Sequence, residues 1–248
     1  MWQMFGLQIQ LKNWVSFTEL TLTAKVELVA VTYPKIAGVA NAEELVAYIA
    51  RVSNPSNQLN METSDKLIKY LIKHQHWSPF EMVHIVLEIE TTRDIARQIL
   101  RHRSFTFQEF SQRYANPVQE LSLVTREARY QDKKNRQNSV QVDMQDDHDR
   151  QISYQWENLQ DNLIERVQDV YNWAISKGIA KEQARAVLPE GLTKSRMYMS
   201  GSLRSWIHYT QLRRANGTQL EHQQIAEMCA QVLAKEFPNI TAFVDEAT

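Results

Sequence analysis

Three arginines, a histidine and a glutamate fall within fourteen residues, in the run Arg101-His102-Arg103-Ser104-Phe105-Thr106-Phe107-Gln108-Glu109-Phe110-Ser111-Gln112-Arg113-Tyr114. Guanidinium forks grip phosphate oxygens in paired, charge-assisted bonds, and the interleaved Phe105, Phe107 and Phe110 can pack against a flat ligand. The run therefore reads as an anion site. Its plain alternative is a solvated loop whose arginines make surface ion pairs. The six glycines, at positions 6, 38, 178, 191, 201 and 217, form no Gly-x-Gly turn. Neither a dinucleotide fingerprint nor a Walker loop can be drawn. A phosphorylated ligand would have to be held by arginines, helped by backbone amides at helix starts.

Other chemistry is weaker. His74, His76 and His84 lie close in sequence, yet no Cys pattern or His-Glu-x-x-His supports zinc, so no metal is expected. No Gly-x-Ser-x-Gly elbow recommends a serine hydrolase. The lone Cys229 sits in an apolar helical pattern, where an inert thiol is the natural reading. His208 alone is an ordinary structural histidine, but Arg204 one turn before it and Arg213 beyond raise its interest. Two rival functions follow from the same residues: an Arg-rich loop gripping single-stranded nucleic acid with Phe105 and Phe107 as stacking platforms, and a metal-dependent nucleotide hydrolase built on the histidines.

The elements that must position these groups can be read from periodicity. Residues 1–24 alternate loosely and form a strand or an extension. Lys25 to Val31 reads as a strand. Asn41 with Glu44 resembles a capping box opening a helix with Leu45, Ile49 and Val52 on one face. A second helix is expected from Ser64 to Gln75, delivering His74 and His76 to a turn at Ser78-Pro79. Val83, Ile85, Leu87 and Ile89 alternate with His84, Val86, Glu88 and Glu90 in the clearest strand, one face core and the other partly polar. Thr92 should cap a helix burying Ile95, Ala96, Ile99 and Leu100, whose C-terminus delivers the Arg101 cluster into a loop. Residues 131–147 turn polar and read as a mobile surface insertion. A long helix runs from Arg150 to Lys177, stopped by Gly178, and a short one from Lys181 to Leu188. Arg196 to Ser200 suggests a short strand. Ser202 opens a helix with Leu203, Trp206 and Ile207 inward, and Gln219 to Lys235 forms the last, with Ile225, Met228, Cys229 and Val232 in the core.

The 248 residues fit a single domain, and a formal charge of −1 gives no basic field for nucleic acid. No stretch approaches eighteen apolar residues, and the start lacks a signal-peptide pattern. A cytoplasmic, reducing location is expected.

Several blocks resemble the flavin-dependent thymidylate synthase family. Arg101-His102-Arg103, seven residues, then Ser111 matches that family's signature, with Glu109, Arg113 and Tyr114 in place. Ala50 to Ser53, His74 to Glu81, Ala184 to Pro189 and Ser202 to Arg213 look like family blocks in family order. Thr106, Gln108, Trp77 and Ser202 differ from the residues commonly found at those positions.

The resemblance implies methylation of dUMP at C5 to dTMP, with 5,10-methylenetetrahydrofolate as carbon donor and FAD reduced by NADPH as hydride source. It also implies an α/β (α+β) single domain over residues 25–248, with a central, mostly antiparallel sheet, helices around it and no Rossmann fold. That domain would assemble as a homotetramer with active sites between subunits. Carried over by position, Ser53, His76, Ser78, Arg101, His102, Arg103, Glu109, Ser202, Arg204 and His208 would contact FAD. The dUMP positions are Gln98, Arg101, Glu109, Phe110, Ser111, Gln112, Arg113, Arg185 and Arg213. Arg113 and Arg185 suit a dianionic phosphate, and Arg213 would stabilise negative charge at the uracil edge. Ser111 is expected to bind rather than attack, because no base is fixed beside it.

Overall fold

The computed structural model describes residues 24–240 and Phe243; the reading of residues 1–23 as a strand or extension lies outside them. Among the described residues, fourteen α-helices and strands follow in order: β1 Lys25–Val31, α1 Ala42–Ala50, α2 Ser64–Lys73, β2 His84–Thr92, α3 Arg93–Ile99, β3 Thr106–Glu109, α4 Pro117–Glu120, β4 Arg129–Gln131, β5 Ser139–Gln141, α5 Asp147–Ser176, α6 Lys181–Ala184, β6 Lys194–Ser202, α7 Leu203–Arg214 and α8 Leu220–Glu236. Short 3-10 turns cover Ser78–Met82 and Arg185–Val187.

The main sheet has the order β1-β2-β6-β3, and every neighbouring pair is antiparallel. Its centre is the β2–β6 ladder, running without a shift from His84 opposite Ser202 to Thr92 opposite Lys194. The inward positions of β2 are Ile85, Leu87 and Ile89, and those of β6 include Met197 and Met199, all fully buried. They pack with Trp206, Ile207, Ile225 and Cys229 of α7 and α8 in one core. The opposite sheet face carries Glu88, Glu90, Arg196 and Tyr198, which pair across strands. A smaller core under α5 gathers Val167, Tyr171, Ala174, Ala184 and Leu188. The expected fold class is thus the observed one.

Local boundaries differ for identifiable reasons. Asn41 accepts the Glu44 N–H at 2.8 Å, but Glu44 reaches back to the Ala40 N–H at 2.6 Å, one residue short of a reciprocal box. α1 stops at Ala50 because Arg51 turns to the Asn60 carbonyl and the Thr63 hydroxyl, leaving Val52 exposed rather than on the buried face. α2 ends at Lys73, before Gln75 at φ 57°. Thr92 does not cap α3 with its side chain; its hydroxyl donates to Asp94 at 2.6 Å. The segment expected as a loop after Arg103 adds β3 to the sheet edge against β6. β6 is nine residues long rather than five, since Ser195 and Gly201 occupy buried positions and break the apolar alternation that marks a strand. Met228 and Val232 are only half-buried. The long helix starts at Asp147, capped by Asp146, and Gly178 beyond its end has φ 76°. The stretch expected as one helix to Leu188 is α6 followed by a 3-10 turn. The polar stretch 131–147 holds the turn and second strand of the β4–β5 hairpin.

Candidate active site

The end of α3, the edge strand β3 and the helix pair α7–α8 bring the implied site residues into four groups. The first centres on Arg213, near the end of α7. Its Nε donates to His102 Nε2 at 2.8 Å, so the imidazole is neutral and carries its proton on Nδ1. Burial, with the Arg213 charge added, pushes His102 down to about 4. His102 lies edge-on to Tyr209, with ring centroids 4.9 Å apart. Gln98 joins this group through α8: it donates to Gln219 at 2.7 Å, and its carbonyl lies 3.4 Å from His222 Nδ1.

A second group gathers where β6 becomes α7. Ser202 accepts the Ser205 N–H as helix cap and donates to Glu81 at 2.5 Å, while Arg204 donates to the other Glu81 oxygen at 2.6 Å. The Arg204 and Ser202 hydrogen bonds hold the Glu81 carboxyl below its usual range. The Nε of Arg204 is buried without a partner among the described residues. One turn on, the His208 and Trp77 rings meet edge-to-face with centroids 4.7 Å apart, and burial followed by the Arg204 charge lowers the basicity of His208. His76 and Ser78 are exposed beside Trp77.

Glu109, the last residue of β3, is the third centre. It accepts from Ser195 at 2.8 Å and pairs with Arg97 at 3.2 Å and Arg93 at 3.6 Å. Both arginines also approach Glu190, so the carboxylate position depends on α3 and on the loop before β6. The fourth group is looser. Arg113 faces Glu182 of α6 at 3.8 Å across an exposed surface, and the Phe110 N–H is fixed by the Arg196 carbonyl at 2.8 Å. Gln112 is buried with its amide nitrogen unpaired among the described residues. Among the described residues, the Ser111 hydroxyl accepts the Arg113 N–H, at 3.4 Å.

Ser53 is exposed in the turn after α1, in none of these groups. Arg101 and Arg103 are exposed and Arg185 is half-buried; none has a side-chain partner recorded among the described residues. The guanidiniums of Arg101 and Arg103, on either side of the neutral His102 in sequence, and the half-buried Arg185 are donors of the kind suited to phosphate and diphosphate oxygens. This is the chemistry that FAD and a nucleotide monophosphate present, so the residues fit both. Among the described residues, no group of three or more His, Cys, Asp or Glu is placed to hold a metal, and no helix is long and apolar enough to cross a membrane. Cys229 is fully buried, and burial pushes its thiol well up, away from reactive thiolate.

Sequence reasoning missed His222, Tyr209, Gln219, Arg93 and Ser195 as site neighbours. His222 left a trace: it stands at helical spacing from Ile225, Ala226 and Cys229, which puts a polar ring on the buried side of α8.

Residues 35–239 match the model of the family described as thymidylate synthase complementing protein. A probable flavin-dependent thymidylate synthase of Paramecium bursaria Chlorella virus 1 is 49% identical over 219 residues, covering 88% of this chain and 98% of its own. A flavin-dependent thymidylate synthase of Synechocystis is 45% identical, covering 89% and 99%. Among solved structures, the UMP/dUMP methylase PolB of Streptomyces cacaoi, crystallised with 5-Br dUMP, superposes with a TM-score of 0.70 at 25% identity, covering 90% of this chain and 96% of that one. With its signature arginines in the turns on either side of β3 and this similarity along most of its length, the chain belongs to the thymidylate synthase complementing protein family, the flavin-dependent thymidylate synthases.

Proposed function

We propose that the protein methylates dUMP at C5 to give dTMP, drawing the carbon from 5,10-methylenetetrahydrofolate. The observation that carries this reading is the Arg213–His102 pair. Arg213 spends its Nε on His102, so its two terminal amino groups stay available for the uracil edge. There they would stabilise negative charge building at N3 and the neighbouring oxygen, making C5 nucleophilic. FAD reduced by NADPH supplies the hydride equivalent when bound. Ser53, His76, Ser78, Arg101, His102, Arg103, Glu109, Arg204 and His208 would hold it, with Ser202 acting through Glu81 and the α7 cap. His102 suits this place as a neutral ring that adds no charge beside Arg213.

Arg113 and Arg185 bind the dUMP phosphate in this reading, Arg113 exchanging its exposed contact with Glu182 for a dianion. Gln98, Arg101, Glu109, Phe110, Ser111 and Gln112 complete the nucleotide pocket. Ser111 orients substrate rather than attacking it, in keeping with a hydroxyl that, among the described residues, meets a backbone N–H and no base.

We read residues 25–248 as the catalytic domain, 1–24 as an extension and the polar stretch 131–147 as a surface insertion. Assembly as a homotetramer would let several chains wall the flavin without a Rossmann fold. The exposed stripe of Trp156, Leu159 and Leu163 on α5 offers such an assembly an apolar face. A reduced Cys229 and use of NADPH suit the cytoplasm.

The purified protein should show a flavin absorption band and release the C5 hydrogen of dUMP only when NADPH and the folate are both present. A colourless protein that takes up no FAD, or a flavoprotein that releases nothing from dUMP, would reject the assignment.

A further inference from the structure

A chain of hydrogen bonds leads from the surface of α8 into the nucleotide site, and its direction can be worked out from one end. Glu221 is paired with Arg126 at 3.0 Å and with Arg129. Burial pushes its carboxyl up, but its own backbone N–H, the two guanidiniums and the Gln219 amide together hold it below the usual range. An ionised carboxylate only accepts. The Gln219 group 2.9 Å from it must therefore be the amide nitrogen. That turns the Gln219 carbonyl toward Gln98, so the Gln98 group 2.7 Å away is again the nitrogen. The Gln98 carbonyl then faces His222 Nδ1 at 3.4 Å, and a neutral His222 must carry its proton there. Its Nε2 accepts from the Tyr209 hydroxyl at 3.1 Å.

The surroundings agree with this tautomer. His222 is fully buried on α8, and burial followed by the Arg213 and His102 charges pushes it down to about 3. Burial holds the Tyr209 hydroxyl protonated and able to donate. Every link from Glu221 to Tyr209 thus has one allowed polarity, and Gln98 cannot turn over without facing two donors or two acceptors together.

We infer that His222 is a positioning residue which, as the inner end of this one-way chain, fixes which end of the Gln98 carboxamide meets the pyrimidine and so favours uracil over cytosine. The inference rests on the reading of Gln98 as a dUMP contact. After its internal bonds, Gln98 keeps one N–H and one carbonyl lone pair. Uracil offers an acceptor at O4 and a donor at N3; cytosine offers the reverse, a donor at N4 and an acceptor at N3. A free carboxamide serves either base by turning over. A locked one pairs with only one of them, and mispairing leaves buried polar groups unsatisfied.

The test uses the flavin-loaded, full-length protein, with dUMP and dCMP binding followed by the flavin spectrum and by calorimetry. Wild type should prefer dUMP. His222→Leu removes the donor at similar bulk and should weaken dUMP binding about tenfold, the scale of one hydrogen bond, and narrow the dCMP-to-dUMP ratio with flavin content unchanged. His222→Asn restores an N–H near the Nδ1 position and should recover most of both. Glu221→Gln lets Gln219 turn over and should also narrow the ratio, which keeps the inference testable if His222→Leu does not fold. Unchanged ratios in His222→Leu or in Glu221→Gln overturn it. So does equal damage in His222→Asn and His222→Leu, which would mark packing rather than the donor. A flavin-loaded wild type that binds no dUMP removes the dUMP reading itself, a failure visible before any variant is made.

Discussion

Arg213 is the single side chain on which most of the proposed chemistry turns, because one guanidinium faces two neighbours of different character. Its Nε is committed to a neutral His102, while in the proposed reading its terminal nitrogens would serve the base. Arg213→Ala should keep its flavin, since Arg101, Arg103 and Arg204 remain, but lose turnover by about two to three orders of magnitude, as expected for removing one positioned electrostatic group. His102 reports the change independently. Without the nearby cation its pKa should move up from about 4 toward its ordinary 6.5, though burial keeps it depressed. NMR titration of the His102 ring would show this; an unchanged value, or wild-type turnover, would reject the role given to Arg213.

The elements matter through close fits that composition does not advertise. Gly201, near the end of β6, has no room for a side chain: a Cβ there would lie 2.4 Å from the Phe105 ring. Phe105 packs edge-to-face with Trp206 and Tyr209, so it cannot retreat without disturbing the core beneath His102. Gly201→Ala should therefore destabilise the fold by about 1–3 kcal/mol, the usual cost of overpacking, and loosen flavin retention. Calorimetric melting with a flavin measurement checks both, and a wild-type melting temperature would show that Phe105 yields freely. The same strand shows where legibility ended. Val83 to Ile89 announced β2 by strict alternation, and the helices were visible through their apolar spacing. β6 was half-hidden, because its inward Ser195 and Gly201 serve Glu109 and Phe105 rather than the apolar pattern. β3 was hidden altogether, since its edge position leaves Thr106 and Gln108 exposed and its residues were already claimed by the anion signature. For the site, the arginines were readable by type and spacing. The groups that hold the other site residues, Glu81 on Arg204 and Gln219 and His222 on Gln98, come from distant segments and become neighbours only when the chain packs.

Across the whole molecule, two imidazoles held neutral beneath one guanidinium make folding sensitive to acid. Unfolded histidine takes up a proton near pH 6.5, whereas in the folded chain His102 does so at about 4 and His222 at about 3. Above about pH 6.5 both are neutral in either state, and their contribution to stability is fully present. As pH falls below that, the unfolded chain binds protons that the folded one refuses, and stability is lost progressively until the folded rings also protonate. One unit of depression corresponds to about 1.4 kcal/mol, so the loss is on the order of a few kcal/mol once the half-buried state of His102 is allowed for. Glu81, held below its usual 4.5 by Arg204 and Ser202, adds a loss of the same sign in the lower part of the range. The melting temperature should therefore drop steeply between pH 6.5 and 4. In His222→Leu, which has no ring to protonate at that position, the drop should be shallower even if the variant starts from a lower melting temperature. Parallel pH profiles for the two proteins would mean that His222 is not held neutral by the fold.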